Sequence, residues 1–287
     1  TDGTDEGYAV QAYCPIIDLE NASQAYEWMF GSHESETYPQ TDFTKAFSEA
    51  MAKQYTERIT ALDMGYELND AGKSGSFYDW LITQYEDAFI AYINRGNDPA
   101  KDVDAWNWLT WDPDTSEVNV SSIDEMIESG YISRSKDVGA FDAYDRSTAE
   151  NSLFGKNGAL VGSDEEKRHF STAMAELLIP LAEEYADDAE AYLAEYQKAS
   201  DDDIQEKVWA MNPYHFVEDE DTTKAQYFRI CVGTKDTDTA PVISASFALL
   251  LQKAGIDVQY ELIWNEVHTD ADYEDGFENW VNSLVVG

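Results

Sequence analysis

Apolar positions along this 287-residue chain fall into two kinds of run. Near both ends they are short, continuous and bounded by turn residues. Tyr8-Ala-Val-Gln-Ala-Tyr-Cys-Pro15 reads as a short buried strand ending at proline, Tyr227-Phe-Arg-Ile-Cys-Val232 as a second, and Val258-Gln-Tyr-Glu-Leu-Ile-Trp264 as a third. A turn and the short helix Ala22–Phe30 follow the first strand. An amphipathic helix over Ala240–Ala254 joins the last two, so this end of the chain is a β-α-β unit.

Between about residues 36 and 221 the spacing of apolar positions changes to three and four. Phe77, Trp80, Leu81, Tyr85, Ala88, Phe89 and Tyr92 mark one helical face. Phe43, Phe47, Ala50, Tyr55, Ile59 and Leu62 repeat the pattern less strictly. Ser122 and Glu125 have capping-box spacing ahead of a helix of one to two turns that stops at Gly130. From Glu165 a helix carrying Phe170, Met174, Leu177 and Leu181 has to kink or break at Pro180, with an alanine- and glutamate-rich continuation to Tyr196. No fixed-period repeat is present. The fold class is α/β: 1–35 and 222–287 are core segments, and 36–221 is a large, mainly helical insertion. Sheets usually hold about five or six strands. About half of such a core is therefore expected to lie upstream of Thr1, on another chain, or nowhere.

Composition narrows the partners. Eighteen Lys and Arg against 58 Asp and Glu give a net charge of −40. A field of that sign opposes nucleic acid and anionic membrane, and no apolar stretch approaches the length of about 18 residues that spans a bilayer. Asp112-Pro-Asp114-Thr-Ser116 begins like a calcium loop, but Glu117 stands where an EF-hand loop needs glycine. Cys14 and Cys231 sit in strand-like apolar runs and read as buried free thiols. No metal or organic cofactor is expected. The opening Thr1-Asp-Gly-Thr-Asp, without methionine or signal peptide, reads as a processed or truncated start and leaves localisation unknown.

The chemistry gathers near the C-terminus. Asp236 follows the second strand in Gly233-Thr-Lys-Asp236-Thr-Asp238-Thr239, and His268 follows the third. Open α/β sheets place chemistry at the carboxyl ends of strands, and α/β-hydrolases carry acid before base in this chain order. In such enzymes the imidazole takes a serine proton and the carboxylate fixes its tautomer. From the residues alone, Asp236 and Asp238 are both candidates for the acid, and Asp238 or Thr239 could instead cap the next helix. His33 and His215, in polar loops, and His169, on a helix beside Arg168, read as surface or satisfied histidines. Gly72-Lys-Ser74-Gly-Ser76 has no strand before it and no final glycine, and reads as a loop between helices. No Gly-x-Ser-x-Gly, HExxH, paired CxxC, Walker or GxGxxG pattern occurs. An acid and a base stand here without a nucleophile.

Two stretches resemble bacterial tannases: Ala12-Tyr-Cys-Pro-Ile-Ile-Asp18-Leu-Glu-Asn-Ala22, with Ala25-Tyr-Glu-Trp28 after it, and Val232-Gly-Thr-Lys-Asp236-Thr-Asp238-Thr. Tannases are α/β-hydrolase esterases with a large inserted lid, related to feruloyl esterases. The resemblance implies Asp236 as triad acid, His268 as triad base and Asp238 as a ligand to the phenolic hydroxyls of a galloyl group. It also implies a lid lysine and a lid glutamate on those hydroxyls, fourteen residues apart. Lys136 and Glu150, the latter in Thr148-Ala-Glu150-Asn-Ser-Leu-Phe-Gly155, have that spacing, although a solvated charged surface would look the same. Carboxylates accept from phenolic donors, a lysine donates to a phenolic oxygen, and such groups penalise analogues that lack the hydroxyls. Trp106, Trp108 and Trp111 could stack on an aromatic ring or pack the lid.

The elbow serine and oxyanion-hole glycines, which precede the first strand in that family, are absent from this chain. No cysteine adjoins His268, so the fungal tannase arrangement with bridged catalytic neighbours is not indicated. The expectation is the C-terminal part of a serine esterase acting on a small phenolic ester, gallate first, completed by an N-terminal hydrolase segment. Two other readings stay open: a carboxylesterase of feruloyl or acetyl-sugar esters, and a non-catalytic acidic binding module that retains hydrolase topology.

Overall fold

The computed structural model describes residues 7–31, 33, 36–69, 72–143, 146–155, 167–186, 193–194, 196 and 202–286. The chain divides into two compact units, one of Thr1–Pro15, Ser76–Ser133 and Val217–Gly287, the other of Ile16–Gly75 and Arg134–Phe216. Five strands occur among the described residues: β1 (Ala9–Tyr13), β2 (Leu109–Trp111), β3 (Val118–Val120), β4 (Tyr227–Gly233) and β5 (Asp257–Ile263).

The first unit is built on a parallel sheet of order β1-β4-β5, registered so that Tyr13 faces Cys231 and Gly233 faces Ile263. The central strand β4 is buried from Arg229 to Gly233, as its continuous apolar run implies. The N-terminal strand departs from expectation. It is only half-buried, and Tyr8 and Tyr13 expose their rings, because β1 lies at the edge of this three-stranded sheet with a described neighbour on one side.

The helix Pro241–Lys253 connects β4 to β5 and is buried along its length from Pro241 to Leu251. Proline in its first turn gives up no hydrogen bond, and Gly255, at φ +82°, turns the chain out of the helix toward β5. The helix Ser76–Asn94 buries Phe77, Tyr78, Leu81, Tyr85, Ala88 and Phe89, nearly the face its spacing predicts. Trp80 meets Tyr260 of β5 at 5.8 Å and Phe89 meets Trp264 at 4.8 Å. This helix therefore packs on the sheet. The stretch 36–221 is also not helical throughout. β2 and β3 pair as an antiparallel hairpin, and the acidic segment after Trp111 is its turn, with Asp112 Oδ1 accepting the Asp114 N–H at 2.8 Å.

In the second unit the helix Asp42–Ala61 opens on a capping box, in which Thr41 and Thr44 each accept the other's backbone N–H. Its Phe43, Phe47 and Met51 pack with Met174, Leu178 and Tyr196. The helix expected from Glu165 begins at Thr172 instead and runs past Pro180 to Glu184. Its start is fixed from a distance, since the N–H groups of Phe170 and Ser171 donate to Asp142 Oδ2 at 3.1 and 2.8 Å. Pro180 and Glu176, whose carbonyl loses its partner to the proline, both lie on the exposed side. Most of the continuation toward Tyr196 lies outside the described residues. No helix among the described residues is long and apolar enough to cross a membrane.

Candidate active site

The loop after β4 is laid against the loop after β5 by backbone hydrogen bonds. Thr234 N–H donates to the Ile263 carbonyl at 3.0 Å and Lys235 N–H to the Glu266 carbonyl at 2.9 Å. The two chains approach so closely at Gly233 that a Cβ there would stand 2.2 Å from the Glu266 carbonyl oxygen. Thr234 adds a side-chain tie, its Oγ1 accepting the Asn265 N–H at 2.8 Å and lying 2.6 Å from the Tyr131 hydroxyl.

This junction brings Asp236 and His268 together. Asp236 is buried; its Oδ1 accepts the N–H groups of Asp238 and Thr239 at 2.8 and 2.9 Å, and its Oδ2 lies 3.0 Å from His268 Nδ1. Between the two candidate acids, Asp236 faces the imidazole. It also satisfies the backbone donors ahead of the helix, a task open to Asp238 or Thr239 on sequence alone; Ala240, at the cap position, supplies no side-chain bond. Asp238 is exposed on the same loop. His268 is half-buried with 36 % of its side chain exposed. With Nδ1 turned to the carboxylate, Nε2 is the nitrogen left for proton transfer.

Cys14 lies against this pair. It leaves β1 at φ +41°, donates its N–H to the Cys231 carbonyl at 2.8 Å and is buried. Burial, and then the Asp236 carboxylate, push its thiol well above the ordinary range. Cys231 is buried and free as well.

A second set of groups fixes the loop that carries His268, and sequence reasoning missed it. Arg229, in the middle of β4, has no exposed side-chain surface. Its Nη atoms donate to both Asp272 carboxylate oxygens at 3.1 and 2.8 Å, its Nε to Glu261 at 2.7 Å, and Nη1 also to Gln11 at 3.1 Å. The Tyr13 hydroxyl donates to Asp272 at 2.7 Å, and burial followed by this carboxylate pushes the phenol up to about 12. The available signal was the arginine itself, since a charge inside a buried strand has to be paired.

Lys136 and Glu150 belong to the second unit. Lys136 is half-buried with its Nζ 5.3 Å from the centre of the Phe141 ring. Its carbonyl accepts from Arg134 Nε at 2.7 Å, and Arg134 makes a two-point pair with Glu27 at 2.9 and 2.6 Å, wholly buried. Glu150 is half-buried in the first turn of the helix Ala149–Leu153. The cap residue of that helix, Thr148, holds the Phe141 carbonyl at 2.7 Å, so Phe141 contacts the surroundings of both.

Trp106 and Trp108 are accounted for by packing. Trp108 is 1 % exposed and forms one cluster with Trp106, Tyr131 and Trp264. His169 is not on a helix: it precedes Thr172–Glu184, buried, with Nδ1 2.7 Å from Asp142 Oδ1 and its ring against Tyr196. His215 lies in the helix Tyr214–Val217 with Nε2 3.0 Å from Glu20. Gly72–Ser76 leads from one long helix to the next, as expected.

No protein-family model and no curated protein matches the chain. Solved structures do match, and in structure the chain is tannase-like. A tannin acyl hydrolase from Lactobacillus plantarum is 25 % identical with a TM-score of 0.73, over 99 % of this chain and 58 % of that one. A tannin acyl hydrolase in complex with ethyl gallate is also 25 % identical, with a TM-score of 0.73 over 99 % and 57 %. A Fusobacterium nucleatum tannase is 25 % identical with a TM-score of 0.71, over 97 % and 59 %. The chain thus spans less than two thirds of the length of these proteins.

Proposed function

We propose that this chain supplies the acid and the base of a serine esterase acting on esters of phenolic acids, gallate first. The observation that carries the reading is the 3.0 Å approach of His268 Nδ1 to buried Asp236 at the ends of adjacent parallel strands. The tannase-like structure supports it, and so does the relative that was solved with ethyl gallate.

In this mechanism a serine upstream of the chain is the nucleophile. His268 takes the serine proton through Nε2 as the hydroxyl oxygen attacks the ester carbonyl, and Asp236 stabilises the imidazolium. The same proton passes to the leaving alcohol as the ester C–O bond breaks, leaving an acyl-serine. Water then repeats the cycle, giving its proton to His268 and its oxygen to the acid released. Asp238, Lys136 and Glu150 hold phenolic hydroxyls, with part of the region 36–221 contributing the lid. The reaction needs no metal or organic cofactor.

The test is methyl gallate hydrolysis by this chain alone and by a form extended upstream. Turnover only in the extended form, abolished by His268→Ala, is the expected result. If both forms fold and neither cleaves gallate or a simple acyl ester, the hydrolase reading fails and an acidic binding module takes its place.

A further inference from the structure

We propose that Cys14, Asp236 and His268 form a binding site for a soft or borderline divalent cation such as zinc or cadmium. Each residue offers one candidate ligand atom, and these atoms lie within 4.8 Å of one another. Tetrahedral zinc, with bonds of about 2.0–2.3 Å, places its ligands roughly 3.3–3.8 Å apart, so the side chains need close by at most about 1–1.5 Å. A thiol, an imidazole and a carboxylate are three protein ligands of types zinc prefers, with a fourth position left for water. The sulfur selects against magnesium and calcium. Entry is from the side of His268, the one partly exposed member of the set.

The chain's net charge of −40 raises the local concentration of cations. Against binding stands the proton of Cys14, which the cation must displace and which burial and Asp236 hold firmly. A divalent charge placed between carboxylate and sulfur offsets the carboxylate's share of that hold. If the metal takes Nδ1 it separates His268 from Asp236, and if it takes Nε2 it occupies the nitrogen a base needs. Either way the imidazole is withdrawn from proton transfer. That last consequence rests on the hydrolase reading; binding does not.

The experiment titrates the full chain with cadmium ion, in buffer free of chelators and other thiols, and reads thiolate-to-metal charge-transfer absorbance. One equivalent should bind. The band should vanish in Cys14→Ser, persist in Cys231→Ser, and need at least about tenfold more cadmium in His268→Ala. A band that follows Cys231, survives Cys14→Ser, is unchanged by His268→Ala, or never forms in the unaltered chain overturns the site. His268 is partly exposed, so its variant keeps the test decisive should Cys14→Ser fold poorly. Activity is not read, which keeps failure of this proposal separate from failure of the hydrolase reading.

Discussion

Arg229 and Asp272 form a two-point ion pair between the central strand and the loop that carries His268. The arginine is buried and the carboxylate retains 23 % of its side-chain exposure, so the charge is anchored on the protein side and open on the other. Bidentate pairing fixes direction as well as distance. The base is thereby held from beyond, four residues past its own position, as well as by its contact with Asp236.

Replacing Asp272 with asparagine keeps the shape and removes the charge. The expected loss is about 1–3 kcal/mol of folding stability, read as a lower urea midpoint at neutral pH. The pH dependence follows from the environment of the carboxyl. Burial raises it, but the hydrogen bonds from Arg229 and Tyr13 outweigh burial and leave it below its ordinary value. With the folded-state value the depressed one, the stabilisation is present above the unfolded value of about 4 and is lost as pH falls through the folded one. The midpoints of parent and Asp272→Asn should converge under acid conditions. A separation unchanged between neutral pH and pH of about 3 would refute the pairing as a source of stability.

Gly233→Ala tests the junction between acid and base directly. The added carbon meets the Glu266 carbonyl oxygen at 2.2 Å and its carbon at 2.6 Å, both backbone atoms that cannot swing aside. The substitution should cost about 1–3 kcal/mol, lower Tm, and shift the imidazole NMR signals of His268, two residues beyond Glu266. An unchanged Tm together with unchanged imidazole signals would mean the two loops are not locked together.

What could be read from the sequence was what repeats along it or lies close within it. The strands at Tyr227 and Val258, the helix between them and the order of Asp236 before His268 all stand within about forty residues, and their apolar runs carry the pattern. The partners of Arg229 come from β1, β5 and the loop after His268, and no local spacing links Gln11 to Asp272. The face of Ser76–Asn94 announced a buried side without naming the sheet as its neighbour. The strands of the β2–β3 hairpin are three residues each, too short for an alternation to show. His169 is buried by its contact with Asp142, twenty-seven residues earlier, which no helical or strand period encodes.

The buried pair of Glu27 and Arg134 should govern the stability of the second unit. Ser48 donates to Glu27 Oε2 at 2.6 Å, which leaves the carboxylate well satisfied. Glu27→Met strands a guanidinium away from water and is expected to cost about 3–5 kcal/mol. Changing both residues to methionine removes the stranded charge, so the double variant should recover much of that loss. Urea unfolding of Glu27→Met, Arg134→Met and the double variant closes the cycle. Additive losses would show that the pair is not coupled.

Substrate recognition gives the last prediction, made for the form extended upstream. Lys136 is held over Phe141 from one side and Glu150 is carried by a helix whose cap grips the Phe141 carbonyl, so neither backbone is free to drift. If these groups and Asp238 bind phenolic hydroxyls, each loses its partner when the substrate has none. Lys136→Ala, Glu150→Ala and Asp238→Ala should then lower kcat/KM for methyl gallate by about 10- to 100-fold, the equivalent of one charged hydrogen bond. Turnover of a simple acyl ester should change by no more than about twofold, because that substrate has no hydroxyls for these groups to hold. Equal losses on both substrates would place these residues in the general architecture of the enzyme and favour a carboxylesterase of other specificity. Loss on gallate alone from Asp238→Ala, with the other two silent, would confine recognition to the loop that also carries Asp236.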